Sequence, residues 1–352
     1  MITTSETDQL MPTATPPSGH VSQETTNRTI QFIEAVRCQI GKVVVGQDVV
    51  VERLLVALFT GGHLLLQGVP GLAKTLLVAT LAKTIDLAFA RIQFTIDLLP
   101  SDILGSEVLD QRTNEFRVVK GPMFTNLLLA DEINRAAPKV QSALLEAMQE
   151  RRATIGKETF KLPAPFLVIA TQNPVEQSGT FELPEAQLDR FMLCHRLDYP
   201  LPTEEREVLK RNLALGVKRE DKGAVVRTEF DVLESGPVGS IDELVDAMEA
   251  VHQVYVSDTF VEHVVELVKS TRHHPRIELG CSPRAGIALT KAARARALIH
   301  GRDYVIPEDL YALADDVMLH RMRLNYEALA EGYTGATVLR ELLDEFGFVS
   351  RG

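Results

Sequence analysis

The stretch Gly68-Val69-Pro70-Gly71-Leu72-Ala73-Lys74-Thr75 constrains this chain more than any other. It follows the apolar run His63-Leu64-Leu65-Leu66-Gln67 and precedes Leu76-Leu77-Val78-Ala79-Thr80-Leu81-Ala82. A buried strand, a glycine-containing turn and a helix are therefore expected in that order. The first turn of a helix leaves backbone N–H groups without partners, and these carry the positive end of the helix dipole. A phosphate chain binds there when the loop before the helix can fold tightly around it, which Gly68 and Gly71 permit. In such a P-loop Lys74 reaches the outer phosphates and the Thr75 hydroxyl ligates magnesium, with Pro70, Leu72, Ala73 and Leu76 completing the nucleotide-binding stretch. The strict pattern has glycine immediately before the lysine, where this chain has Ala73. A methyl group fits there if the residue has helical dihedrals, because only a positive φ makes glycine necessary.

Further short apolar runs follow: Arg91 to Thr95, Asn126 to Ala130, Pro165 to Thr171 and Leu193 to Leu197. Nearly continuous apolar strands suit a parallel sheet covered on both faces, and strands alternating with helices give an α/β fold. Ligands of such folds sit at the carboxyl ends of the strands. At one such end stand Asp131 and Glu132. Asp131 is placed to hold magnesium beside Thr75, and Glu132 to polarise a water for attack on the terminal phosphate; alone, an Asp-Glu pair after a strand also reads as a helix N-cap. Asn173, in Ala170-Thr171-Gln172-Asn173-Pro174, can orient the attacking water or simply make an Asn-Pro turn. Arg190, just before the last strand, is either a surface arginine or a finger offered to a neighbouring subunit. Upstream, the Val44-Val45-Gly46-Gln47 bend either packs on an adenine ring or only joins two helices. Ser282-Pro283-Arg284 opens a helix with a cation in its first turn, where the dipole disfavours one, so Arg284 is expected to have a partner outside the helix.

With 352 residues, 45% hydrophobic and 24% charged, the chain has material for about two globular domains. A formal net charge of −11 gives no overall attraction to nucleic acid or anionic membrane. No apolar run approaches the ~18 residues of a membrane-spanning helix, and the start lacks a signal-peptide pattern, so a cytoplasmic protein is expected. Cys38, Cys194 and Cys281 form no disulfide framework or metal spacing, and buried free thiols are expected. The arginines from Arg276 to Arg302, with Arg321 and Arg323, form a basic cluster without stacking aromatics, which reads as a solvated helix face or subunit contact. His273, His274 and His300 lack metal-site partners and read as surface or capping residues.

These residues carry a resemblance. Gly68 to Thr75, Leu129-Ala130-Asp131-Glu132-Ile133-Asn134-Arg135-Ala136, Ala170 to Pro174, Pro184-Glu185-Ala186-Gln187-Leu188-Asp189-Arg190-Phe191 and Ser282-Pro283-Arg284-Ala285 resemble the MoxR family of AAA+ ATPases, in the helix-2-insert group related to magnesium chelatase ATPase subunits. The resemblance implies Lys74 and Thr75 in Walker A, Asp131 and Glu132 in Walker B, Asn173 as sensor 1, Arg190 as a trans-acting finger and Arg284 as sensor 2. It implies ATP and Mg2+, a homo-oligomeric ring expected as a hexamer, a von Willebrand factor A (VWA) domain partner and a client protein, with chaperone-like remodelling, assembly or metal insertion as the work done. A nucleic-acid motor and an ATP-gated scaffold are the alternatives, and the acidic balance and intact Glu132 count against them. The expected organisation is a disordered tail over residues 1–28 and an α/β nucleotide-binding domain over 29–202, then a small all-α lid over 203–352, with the nucleotide between the last two. An insert between Asp97 and Phe124 and a hairpin from Arg152 to Leu162 around Gly156-Lys157 either face a central pore and contact client or only pack on the sheet. The family tends to have proline where this chain has Ile96 and Ala137, which leaves phosphate contacts untouched.

Overall fold

Successive residues of the buried apolar strands face opposite cores, which divides the molecule into layers. The structure, a computed structural model, describes residues 22–175, 179–220, 223–233 and 236–345. Helices α1 (Gln23–Val43) and α2 (Asp48–Thr60) lead into β1 (Leu64–Gln67), α3 (Lys74–Thr84) and β2 (Phe89–Gln93). A short α4 (Pro100–Leu104) opens the hairpin β3 (Gly105–Asp110) and β4 (Glu115–Lys120) before β5 (Leu127–Asp131). Next come α5 (Pro138–Glu150), a second hairpin of β6 (Arg152–Ile155) and β7 (Glu158–Lys161), then β8 (Leu167–Gln172), α6 (Glu185–Leu188) and β9 (Leu193–Arg196). After α7 (Pro202–Ala214) and a third hairpin, β10 (Val217–Glu220) and β11 (Gly223–Val226), the chain is mainly helical: α8 (Ile241–Gln253), α9 (Asp258–His273), α10 (Pro283–Ile299) and α11 (Pro307–Met318).

The expected sheet is present, with five strands in the order β2-β5-β8-β1-β9. All its pairings are parallel. Leu64, Leu66, Leu127, Leu129, Leu167 and Ile169 face one core with α1, α2 and α3. Leu65, Leu128, Ala130, Val168 and Ala170 face the other, with α5 and Ile103 of α4. Successive strand residues point to opposite faces, so each apolar run supplies both cores. The expected hairpin forms as β6 with β7, and the insert between Asp97 and Phe124 also folds as a hairpin, β3 with β4. Among the described residues no helix is long and apolar enough to cross a membrane.

Several expectations are corrected. The tail expected over 1–28 is helical from Gln23, because Ser22 caps α1 by accepting from the Thr25 N–H at 3.1 Å; residues 1–21 lie outside the described residues. This first turn buries Thr26 and Thr29 in place of aliphatic residues, so it leaves no apolar periodicity to read. Between α7 and α8 the chain also forms a 3-10 turn, Glu229–Val232, after β11. Cys38 is exposed. The basic cluster is largely internal bracing: Arg296 and Arg302 both bind Asp309, and Arg321 binds Asp189. His300 pairs with Glu52 and His274 caps α9, as expected of capping residues.

Candidate active site

The carboxyl ends of β1, β8 and β5, adjacent in the sheet, bring the expected residues together. Gly68 leaves β1 with its N–H bonded to the Gln172 carbonyl at 3.1 Å. A Cβ on Gly68 would lie 3.1 Å from the Leu197 Cβ, so the close approach of the two segments needs a bare backbone. Gly71 has φ +88°. Ala73 does not have the helical dihedrals expected of it: it sits at φ 54°, ψ 22°, in the left-handed region, as the residue preceding α3. The loop thus keeps a glycine-like conformation with an alanine in place, at a strain of about 1–2 kcal/mol.

Lys74 folds back on its own loop, its Nζ donating to the Gly68 carbonyl at 2.7 Å. Burial lowers its pKa, and the Asp131 and Glu132 carboxylates push it back up. Asp131 is buried and its oxygens are divided between two donors. Thr171 Oγ1 donates to Oδ1 at 2.6 Å, and Arg91 Nη2 donates to Oδ2 at 2.6 Å. Glu132 adopts φ 56°, ψ 51°, an uncommon conformation for a side chain of this size, of the kind that collects at functional sites. Its carboxylate accepts from Gln93 Nε2 at 2.8 Å and Arg135 Nε at 2.9 Å, and its N–H donates to Thr171 Oγ1 at 2.8 Å. Asn173 is buried at the end of β8, and its Oδ1 accepts from the Val175 N–H.

A largely apolar cavity of about 550 Å³ adjoins the loop, lined by Pro70, Gly71, Leu72, Ala73 and Leu76 and by Val44, Val45 and Gln47 of the upstream bend. Gly46 in that bend has φ +69° and packs on the Glu204 carboxylate. The opposite wall is Tyr199, Pro200 and the α7 residues Glu205, Val208 and Leu209. The wall facing the P-loop is thus made by the first helix of the expected lid, α7, while no residue of α8 to α11 lines the cavity. The residues fit a magnesium nucleotide. The N–H groups of the first turn of α3 are free of helical partners, an ammonium stands beside them, and Thr75 and Asp131 offer the hard oxygen donors magnesium requires.

Arg190 and Arg284 are not at this end of the sheet. They line a cavity of about 240 Å³ with His63, Met148, Gln149 and Asp189. His63 immediately precedes β1 and its carbonyl accepts from the Met192 N–H, so this cavity lies at the amino ends of β1 and β9. The length of β1, roughly 10 Å, separates it from the P-loop. Arg284 meets Asp189 at 3.6 Å, which supplies the partner outside the helix. Arg190 is half-buried and, among the described residues, binds no carboxylate. His63 is fully enclosed, its Nδ1 accepting from the Val168 N–H and its Nε2 facing the Met148 carbonyl, and burial lowers its pKa to about 4.

Sequence reasoning missed Arg91, Gln93 and Thr171, which hold the paired carboxylates. A signal existed in β2, where Arg91 and Gln93 are exposed positions alternating with buried Ile92 on an edge strand. Thr171 had none, since a buried threonine ending an apolar run looks like strand-forming sequence.

Comparison with known proteins agrees with this geometry. Residues 63–193 match the model of the ATPase family associated with various cellular activities (AAA), and residues 269–342 match an AAA lid domain. The chain is 43% identical over 323 residues to a chaperone, MoxR1, of Mycobacterium tuberculosis, covering 89% of this chain and 81% of that protein. It is 46% identical over 304 residues to the uncharacterised protein YeaC of Bacillus subtilis, covering 86% and 91%. A crystal structure from Cytophaga hutchinsonii, of a protein described as a candidate ATPase, superposes with a TM-score of 0.82 at 44% identity, covering 92% of this chain and 96% of that one.

Proposed function

Because the chain belongs to the MoxR family of AAA+ ATPases, which hydrolyse ATP, we propose that it works in the cytoplasm as a ring of identical subunits, a hexamer, whose ATP turnover remodels or assembles partner proteins. Within one subunit the P-loop, with Lys74 and the first-turn N–H groups of α3, holds the phosphates, and the bend at Gly46 and Gln47 receives the base. Thr75 and Asp131 would hold magnesium, which would supply charge neutralisation at the phosphates. Glu132 takes the proton of the attacking water, and Asn173 orients that water. Catalysis is then mainly positioning and charge stabilisation.

The observation that carries the ring is the place of Arg190. It stands at the sheet end opposite its own P-loop, without a carboxylate partner among the described residues, so the phosphates it serves belong to a neighbouring subunit. Arg284 shares that cavity, and its sensor 2 role is proposed across the same boundary rather than within its own chain. The name of the mycobacterial relative supports protein remodelling as the output, with a VWA-domain protein and a client as partners. The test is ATP turnover per subunit against protein concentration, for wild type and Arg190→Ala. Specific activity should rise with concentration, and the variant should stay low while still binding ATP. A concentration-independent rate, unaffected by the substitution, rules the shared site out.

A further inference from the structure

The turn between α6 and β9 carries Arg190, and its neighbours are held from a distant part of the chain. Arg321, which follows α11, has a side chain only 3% exposed. Its Nε donates to Asp189 Oδ1 at 2.8 Å, its Nη2 to the Phe191 carbonyl at 2.6 Å and its Nη1 to the Met192 carbonyl at 3.2 Å. Nη1 also donates to the Val317 carbonyl at the end of α11. One planar guanidinium therefore ties the residues on both sides of Arg190 to the helical part of the molecule. Ser282, the residue capping α10, adds to the hold with its Oγ 3.2 Å from Asp189 Oδ2, and His320 Nε2 lies 3.2 Å from the Phe191 carbonyl. Phe191 itself is fully buried. Arg190 has its backbone fixed between these anchors, while its side chain extends into the cavity it shares with Arg284.

We propose that Arg321 is a positioning residue for ATP hydrolysis in the neighbouring subunit: it fixes the backbone on which Arg190 is presented, and so makes the finger's position depend on where the helical domain sits. The proposal rests on the reading of Arg190 as a cross-subunit finger. Arg321 touches no nucleotide of its own chain, because its contacts on the sheet side all lie at the amino end of β9 and the P-loop lies at the other end of the sheet. A small rotation of α10 and α11 against the sheet shifts Arg321, Ser282 and Arg284 together, and Arg190 follows.

The experiment uses the full chain and mixed oligomers. Arg321→Met should bind a fluorescent ATP analogue as wild type does and lose turnover by about tenfold to a hundredfold, the cost of an ångström-scale misplacement. Mixing Arg321→Met with Lys74→Ala should restore activity: the first subunit keeps a competent P-loop, and the second keeps a well-held finger to offer it. A role confined to general folding would not be rescued in this way. Arg190→Ala mixed with Lys74→Ala is the control and should recover similarly. If the control recovers and the Arg321→Met mixture does not, Arg321 is not acting through the finger. If neither recovers, the cross-subunit reading fails and takes this proposal with it. Wild-type turnover in Arg321→Met, or joint loss of binding and turnover, also overturns it. Should Arg321→Met not fold, Arg321→Lys is measured in the same mixtures: it keeps the charge but not the planar fork, and full turnover in it overturns the proposal.

Discussion

Ala73 carries a methyl group at φ 54°, where Cβ crowds the following carbonyl. Glycine there removes about 1–2 kcal/mol of strain and returns about 0.4–1 kcal/mol through the freer unfolded chain. Ala73→Gly should therefore raise the Tm slightly, by a net gain of up to about 1.6 kcal/mol, and leave nucleotide affinity unchanged. A lowered Tm would mean that the methyl is relaxed in this loop. His63 gives a second expectation. Burial lowers its pKa to about 4 against an ordinary value near 6.5, and both ring nitrogens are engaged in the neutral form. Above pH 6.5 it is neutral folded or unfolded, and its stabilising contribution is complete. As the pH falls toward 4 the unfolded chain takes the proton and the folded one does not, so roughly 3 kcal/mol is lost across that window. Denaturant midpoints of wild type and His63→Gln should converge as the pH drops from 7.5 to 4.5; a gap independent of pH refutes the assignment. The candidate site residues legible in the sequence were those whose proposed chemistry needs a fixed spacing, namely Lys74, Thr75, Asp131 and Glu132. Arg91 and Arg321 were not, because what each holds lies far away in sequence.

Two hairpins stand off the sheet at the element scale. In β3 and β4, Leu109 lies opposite Phe116, which is 70% exposed, and Val108 and Val119 are exposed on the other face. A two-stranded ribbon is marginal by itself, and this one leans on the second hairpin: a Cβ on Gly156, at the tip of β6 and β7, would strike the Glu107 carboxylate. The hairpins thus meet at Glu107 and Gly156, far from the P-loop in the chain. Removing Gly156-Lys157 with the flanking residues should leave fluorescent-nucleotide binding intact while loosening both ribbons, read as faster amide exchange over residues 105–120. Collapse of nucleotide binding in that deletion would mean the hairpins belong to the nucleotide site. The β6 and β7 hairpin was legible from its Gly156-Lys157 turn, whereas β3 and β4 were read only as an insert that the family resemblance implies. The β10 and β11 pair was not legible, since Val217, Val225 and Val226 are all exposed and no buried face sets a period.

Over the whole molecule, α2 is packed between the sheet and the C-terminal helices. Every residue from Val50 to Phe59 is buried, Glu52 and Arg53 included. Arg53 bonds Asp316 and the Ala312 carbonyl of α11, and Asp316 also meets His195 of β9 at 2.8 Å. Glu52 pairs with Arg296 and His300 at 3.3 and 2.8 Å. Removing one partner of a buried pair strands the other charge, so Arg53→Met should cost about 3–5 kcal/mol. The double variant Arg53→Met, Asp316→Leu should recover much of that loss, because no charge is left unpaired. Urea midpoints decide it: equal or additive losses in the single and double variants would show that the pair is not the unit.

The sequence by itself determined what is local or periodic. A strand, turn and helix around Lys74 follow from neighbouring residues, and the five apolar runs dictate a sheet buried on both faces. Carboxylates and an amide at strand ends then fall beside the P-loop, because all the strands of a parallel sheet end on the same side. Only the tertiary structure decided where the helical domain sits. It packs on α2 through the ion pairs of Arg53 with Asp316 and of Arg296 with Glu52, whose members are hundreds of residues apart. That packing places Arg284 and Arg321 at the far end of the sheet with Arg190, and leaves α7 to wall the nucleotide cavity. No spacing rule carries that information, since it depends on which surfaces exclude water together.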